Sequence, residues 1–296
     1  MKNKVLITGG TGFLGSAIRE ILEQNGYETA ILSRKKNIKS KPNFYWNPEK
    51  NELDIEALKF ADCIIHLAGE NISKKRWTAR QKQKIYNSRI YSTKFLYNQI
   101  KTSGLYPQKI ISASAIGYYG TFTSDKILTE NNPPGDDFLA KVVVDWEKEN
   151  LKFQQLNIPV LLYRIGVVFS TKDGALKEMM KTIPFGFVAT AGNGKQILAW
   201  IALEDIARMF LFGIKNKNLS GIYNAVSPNP LNLSKLNDLL SRKYNVKHLP
   251  INIPGFLLKL ALGEMSSLIL KGSKISSKKI IDAGFQFKFD QLEDIL

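Results

Sequence analysis

The segment Val5-Leu6-Ile7-Thr8-Gly9-Gly10-Thr11-Gly12-Phe13-Leu14-Gly15 limits what this chain can fold into more than any other. Lys4–Thr8 reads as a short buried strand ended by glycines. Phe13, Ala17, Ile18, Ile21 and Leu22 then fall on one helical face, and Asn25-Gly26 closes that helix. Gly9, Gly12 and Gly15 stand three residues apart between the two. One glycine permits a sharp turn out of the strand. The next lets the backbone approach a pyrophosphate, and the third lets the helix pack closely on the strand. An anion then meets the helix N-terminus, where free N–H groups and the dipole favour negative charge. A glycine triplet alone is weak, and the strand before it and the helix after it give it weight. The competing reading is a turn with a structural role only.

Strand and helix signals keep alternating through the first half. Thr29–Leu32 reads as a second strand, Phe44–Trp46 as a short extra one, and Asp62–Ala68 as a strong one. Thr78 is placed to cap a long helix reaching about Lys101. Lys109–Ala113 is a strand, Asp137–Gln154 a helix and Val160–Phe169 a strand. Strands separated by helices of this length predict parallel pairing in a doubly wound α/β sheet covered on both faces. After Ser170, Gly- and Pro-rich stretches appear, with short helices predicted over Leu203–Lys215, Ser234–Tyr244 and Pro254–Leu270. The expectation is a nucleotide-binding part over residues 1–170 and a smaller lobe over 171–296, with later segments free to return to the sheet.

The 296 residues carry 42 Lys+Arg against 26 Asp+Glu, a net charge of +16. Apolar content of 44% and charged content of 23% argue against disorder. The single cysteine, Cys63, excludes an internal disulfide, and two histidines leave little material for a zinc site. The N-terminal apolar run is too short for a signal peptide, so the chain is expected to be cytoplasmic. Cations concentrate between Ser73 and Lys101, where no acid occurs. That stretch is either a solvated helix face or an electropositive wall beside a phosphate-bearing ligand. No nucleic-acid partner is expected, because no zinc-finger, RNA-recognition or helix-turn-helix signature occurs. No membrane partner is expected either. The greasy run Phe256–Leu270 is interrupted by Lys259 and Glu264, and it falls short of the ~20 residues a span needs.

The end of the second strand bears on cofactor choice. NAD-selective sites often place an acid about 20 residues after the glycines, on the ribose 2′-hydroxyl. Here the stretch is Ile31-Leu32-Ser33-Arg34-Lys35-Lys36, with a hydroxyl and cations only. Arg34 could stack on adenine and pair with a 2′-phosphate while Ser33 donates a hydrogen bond. NADP is therefore favoured over NAD. The alternative is an exposed basic turn that contacts nothing.

Thr8–Gly15 resembles the extended short-chain dehydrogenase/reductases. His66-Leu67-Ala68-Gly69-Glu70-Asn71-Ile72, Arg76-Trp77, Asn87-Ser88-Arg89, Ser114-Ala115-Ile116-Gly117-Tyr118-Tyr119-Gly120, Gly192–Gln196, Trp200-Ile201 and Ala283–Phe287 narrow the likeness. Together they resemble an atypical epimerase-family branch, sugar-nucleotide-epimerase-like, with a small C-terminal domain of unknown function. The resemblance implies a Rossmann-type fold that binds NADP. It places Gly9, Thr11, Gly12, Phe13 and Leu14 at the pyrophosphate, and Ser33 and Arg34 at the 2′-phosphate. Leu67, Ala68 and Gly69 would line the adenosine ribose and phosphates, and Val167 would lie near the nicotinamide. Arg89 faces the adenine side or is a surface charge. His66 is a packed, hydrogen-bonded histidine or a catalyst.

Short-chain dehydrogenases use a Ser or Thr with a Tyr-x-x-x-Lys pair on one helix face, where the lysine lowers the tyrosine pKa. In this chain Leu139 and Val143 stand at those two positions, and Lys141 is offset. Tyr97 to Lys101 has the spacing on the wrong element. Ser114 matches the active-site hydroxyl, and Tyr118 and Tyr119 either donate a proton or line the pocket by stacking. Ala202 replaces the histidine of a Trp-Ile-His segment. Glu204 and Asp205 are expected to cap the helix after it, and Lys195 and Gln196 sit in a loop that could cover a substrate. Two functions follow. One is an NADP-dependent oxidoreductase or epimerase-like enzyme acting on an unidentified small molecule. The other is a non-catalytic NADPH sensor or scaffold. Oligomeric state is left open.

Overall fold

The computed structural model describes residues 3–35, 42–249 and 252–296. Lys36 of the basic turn lies outside them. Among the described residues the central sheet has eight strands. Lys4–Thr8 lies in the middle, paired in parallel with Glu28–Ser33 on one side and Cys63–His66 on the other. Beyond Glu28–Ser33 come Asn43–Asn47 and an antiparallel edge, Glu52–Leu53. Beyond Cys63–His66 come Lys109–Ala115, Val160–Ile165 and Gly221–Ala225, all parallel. The chain reverses direction across the sheet at the first strand. A crevice therefore opens at the carboxyl ends of Lys4–Thr8 and Cys63–His66, where such sheets bind ligands.

Alternation along each strand divides the core in two. Val5, Ile7, Ile65, Ile111 and Tyr163 face the helices Phe13–Gln24 and Leu203–Lys215, packing on Ile18, Leu22, Ile206 and Phe210. Leu6, Leu32, Ile64, Ile110 and Leu162 face Phe95, Leu96 and Ile100 of the long helix Ala79–Ser103 and Phe153. Two covered faces explain why these strands are nearly uninterrupted apolar runs. Thr78 caps the long helix by accepting from the Gln81 N–H at 3.2 Å. Asp137 does the same for Phe138–Leu151, accepting from Ala140 N–H at 2.9 Å.

Two expectations are corrected. The strand predicted over Val160–Phe169 breaks at Gly166, and Val167–Phe169 pairs instead with Trp200–Ala202 in a separate ribbon. A Cβ at Gly166 would run into the Ala199 carbonyl oxygen and meet Val226 Cγ1 at 2.8 Å. Glu204 and Asp205 do not cap their helix, whose N-cap is Ala202. Asp205, fully buried, accepts from the backbone N–H groups of Lys288 and Phe289 at 2.9 and 2.8 Å and pins the C-terminal segment. Glu204 pairs with Lys288 Nζ at 2.8 Å. Of the two readings of Arg89, the surface charge falls away, because its guanidinium is enclosed against the Glu70 carbonyl and the Trp146 ring. Pro254–Leu270 forms two short helices, Gly255–Leu262 and Ser267–Leu270, joined by a 3-10 turn. Among the described residues no helix is long and apolar enough to cross a membrane.

Candidate functional site

Gly9 turns the chain out of the first strand at φ +68°, in the left-handed region that favours glycine. A Cβ on Gly15 would run into the Gly9 carbonyl oxygen and sit 2.7 Å from Gly10 Cα, so helix and loop touch only because that side chain is missing. Gly12, extended, is the N-cap of Phe13–Gln24 and supplies no side-chain cap; the first turn holds no acid. The helix therefore presents N–H groups to the crevice with no protein acceptor from its cap residue. Thr11 is exposed at the loop tip. Leu14 packs on the core, and the Phe13 ring lies against Gly174, where a Cβ would meet it at 3.1 Å.

The opposite wall is held by a residue that sequence reasoning passed over. Thr8 Oγ1 accepts from the N–H groups of Leu67 and Ala68, both at 3.0 Å. Its own proton is left for His66 Nδ1 at 2.8 Å, and His66 Nε2–H then donates to Thr93 Oγ1 at 3.0 Å. Burial pushes the His66 imidazole down to about 4, so the ring is neutral. This is the packed, hydrogen-bonded histidine of the two readings. Leu67-Ala68-Gly69 is thereby fixed along the crevice beside Gly9, where a Cβ would stand 3.1 Å from the Leu67 carbonyl. Arg89 lies under that segment. Its Nη1 donates to the Glu70 carbonyl at 3.0 Å, its guanidinium is 5.3 Å from the Trp146 ring, and burial lowers its pKa to about 10. Arg89 thus props the wall from behind.

Ser33 ends the second strand, where its Oγ accepts from Lys35 N–H at 3.1 Å. Arg34 follows, exposed, and makes no salt bridge among the described residues. Val167 stands at the start of the ribbon strand, its N–H donated to Ala199 O at 2.9 Å.

Ser114, Tyr118 and Tyr119 come together with four residues that the sequence did not single out. Ser114 Oγ donates to Glu147 Oε1 at 2.5 Å. Glu147 is paired with Arg164 through two 2.8 Å hydrogen bonds, Nε to Oε1 and Nη2 to Oε2. Burial alone would lower the Arg164 pKa, but the bonds and charge of Glu147 raise it, so the guanidinium stays ionised. Arg164 Nη1 donates to Tyr119 Oη at 3.1 Å, and that hydroxyl donates to Asn224 Oδ1 at 2.7 Å. Asn224 N–H in turn donates to Glu130 Oε1 at 2.7 Å. Both hydrogen-bonding roles of the Tyr119 phenol are occupied, and burial raises its pKa. The Arg164 guanidinium carbon lies 3.3 Å from the centre of the Tyr118 ring. Among the described residues the Tyr118 hydroxyl has no hydrogen-bond partner. Leu139 and Val143 pack beneath this loop, 3.4 and 3.7 Å from where a Gly117 Cβ would be. Tyr97 points elsewhere, against Phe153 and Gln155. Gln196 is buried, donating to the Ala191 and Ile269 carbonyls at 2.9 Å each, whereas Lys195 is exposed. Among the described residues no group of three or more His, Cys, Asp or Glu is arranged for a metal.

A dinucleotide-type crevice and a Ser-Tyr loop beside it meet in one sequence pattern. The NAD dependent epimerase/dehydratase family pattern matches residues 5–225. The chain belongs to that family. A second pattern, a domain of unknown function, DUF1731, matches residues 253–296. Epimerase family protein YfhF of Bacillus subtilis is 38% identical over 98% of this chain and 95% of its own. Epimerase family protein ML0860 of Mycobacterium leprae is 33% identical over 100% of this chain and 95% of its own. Among solved structures, human epimerase family protein SDR39U1 (isoform 2) with NADPH superposes with a TM-score of 0.86 at 25% identity, covering 99% of this chain and 97% of that one. This epimerase-family chain is similar to all three along nearly its whole length, the C-terminal domain included.

Proposed function

We propose that the chain is an NADP(H)-binding, oxidoreductase- or epimerase-like member of the extended short-chain class, acting on a small molecule held between the crevice and residues 171–296. The observation that carries this reading is the uncapped start of Phe13–Gln24 between Gly9 and Gly15, with Arg34 and no acid in Ile31–Lys35 at the end of the neighbouring strand. These residues fit a dinucleotide. The missing Cβ atoms let Gly9 lie against Leu67 and let the helix start close against Gly9 and Gly10, and Gly9 to Leu14 would hold the pyrophosphate. Ser33 and Arg34 would hold the 2′-phosphate, and Leu67, Ala68, Gly69 and Val167 would line the length of the cofactor. The human relative with NADPH supports the phosphorylated form. A bound nicotinamide would supply hydride exchange. Ser114 and Tyr118 would then orient the substrate. The Ser114 proton is committed to Glu147, so its free capacity is to accept from a substrate O–H or N–H. Tyr118 keeps its hydroxyl free to donate.

A second reading, a non-catalytic NADPH sensor, is favoured by one observation: Leu139 and Val143 occupy the Tyr and Lys positions as packing residues. Calorimetric titration with NADPH and NADH tests the shared premise. NADPH is expected to bind in preference, and Arg34→Ala to weaken NADPH by about 10- to 100-fold with little change for NADH, from ~1.5–3 kcal/mol per charged hydrogen bond. Failure of folded, ligand-free protein to bind either nucleotide would overturn it. Turnover of a carbonyl substrate by the NADPH complex, or of a hydroxyl substrate by the NADP+ complex, lost in Ser114→Ala, separates enzyme from sensor.

A further inference from the structure

The helix Gly255–Leu262 reads GFLLKLAL, apolar at every position except Gly255 and Lys259, yet no residue of it is buried. A helix apolar all round normally lies in a core. Phe256, Leu257 and Leu260 are 69%, 46% and 74% exposed, and Ile253 just before them 39%. At about 100° per residue, Phe256, Leu257, Leu260 and Ala261 share one outward arc, with Lys259 at its edge. The helix runs directly into a cationic region. Gly263, its C-cap, lies against the Arg76 guanidinium, where a Cβ would meet Nε at 3.0 Å, and Glu264 is paired with Lys82. Arg76, Lys75, Arg80 and Lys84 line an open cavity of about 350 Å³ with Thr78 and Gln81. Among the described residues none of these four cations forms an ion pair, and the first turn of Ala79–Ser103 holds no acid.

We propose that this face docks on an anionic lipid bilayer. Phe256, Leu257 and Leu260 enter the headgroup–acyl boundary, while Lys259 and the cations beyond Gly263 meet lipid phosphates. The pairing of an apolar ridge with unpaired positive charge selects this occupant. A second copy on the same face would bring two cation clusters together. A neutral surface would leave them uncompensated. A net charge of +16 draws the chain to such a surface in the first place. The contact is peripheral, and it revises the expectation of no membrane partner without requiring a spanning segment.

The test is flotation of the full chain with phosphatidylcholine vesicles that contain or lack phosphatidylglycerol. Binding is expected to be at least about tenfold tighter with the anionic lipid and to fall as salt is raised well above physiological strength. Phe256→Ser with Leu260→Ser should reduce it by about tenfold or more. Both side chains are exposed, so the variant's thermal melt should be unchanged. Arg76→Gln with Lys84→Gln should lower the salt dependence. Equal binding to both vesicles, no flotation, or flotation indifferent to these variants would overturn the proposal. So would a lipid-free dimer abolished by Phe256→Ser/Leu260→Ser, which would assign the face to a second copy. Retention on polyglutamate without flotation would assign it to an acidic protein.

Discussion

Glu147→Gln is the most informative single change beside the Ser-Tyr loop. Glu147 and Arg164 have side chains only 5% and 2% exposed, and two 2.8 Å hydrogen bonds join them. Glutamine keeps the volume and one acceptor oxygen but not the charge, leaving a buried guanidinium with no counter-ion and one of its two bonds to position 147 lost. Removing one member of a buried pair costs about 3–5 kcal/mol. At about 2 °C per kcal/mol for a chain of this size, the melting temperature should fall by roughly 6–10 °C. Ser114 also loses a charged acceptor. Arg164→Met should cost about as much, because it strands the carboxylate instead. The double change Glu147→Gln/Arg164→Met removes both charges and should be less damaging than either single change. Urea unfolding followed by circular dichroism measures all three. The coupling should persist at high salt, since a buried pair is poorly screened. Single losses below about 1 kcal/mol that add within ~0.5 kcal/mol in the double variant would refute the pair as a structural unit.

Other outcomes follow from the same geometry. His66 titrates near 4 in the fold against 6.5 in the unfolded chain. Between those values only the unfolded chain takes up the proton, so its contribution is intact above about pH 6.5 and lost as pH falls to 4, about 3 kcal/mol in all. The pH dependence of unfolding in His66→Gln should be flatter over that interval. Gly15→Ala must push the helix off Gly9 and Gly10, and it should abolish nucleotide binding in calorimetry while costing about 1–3 kcal/mol by overpacking. Asp205→Asn removes the charge that holds Lys288 and Phe289, and limited proteolysis should cut the C-terminal segment faster, with a stability loss of about 1–3 kcal/mol.

The parallel sheet was legible because its strands are apolar on both faces and its helices show a clear stripe. Lys4–Thr8 and Leu203–Lys215 emerge with the boundaries their patterns predict. The break at Gly166 was not legible, because its cause is the Ala199 carbonyl on another segment. Asp205 was misread for a related reason. An acid in a first helical turn has a local use by default, and only the fold brings Lys288 and Phe289 to it. The glycine loop could be read because its chemistry is local: turn, close approach and helix start lie within Gly9 to Gly15. The Glu147–Arg164–Tyr119–Asn224 network is non-local, drawing on a helix, a strand, a loop and the last strand of the sheet. One signal for it was present. Arg164 stands inside Val160–Ile165, a fully buried strand, and a charge there requires a partner.

That network also bears on the helix Phe138–Leu151, which is the element expected to carry a Tyr-x-x-x-Lys pair and holds no tyrosine. In the usual arrangement a lysine supplies positive charge to a tyrosine one helical turn away. Here the helix that would carry both offers Leu139 and Val143, which pack under Gly117. The positive charge near the loop tyrosines comes instead from Arg164 on the sheet, stacked on Tyr118 and bonded to Tyr119. An arginine fixed by Glu147 cannot swing or deprotonate as a lysine can. Under the proposed function, any proton given to the substrate therefore falls to the Tyr118 hydroxyl, with Ser114 accepting from the substrate and Arg164 holding the charge constant.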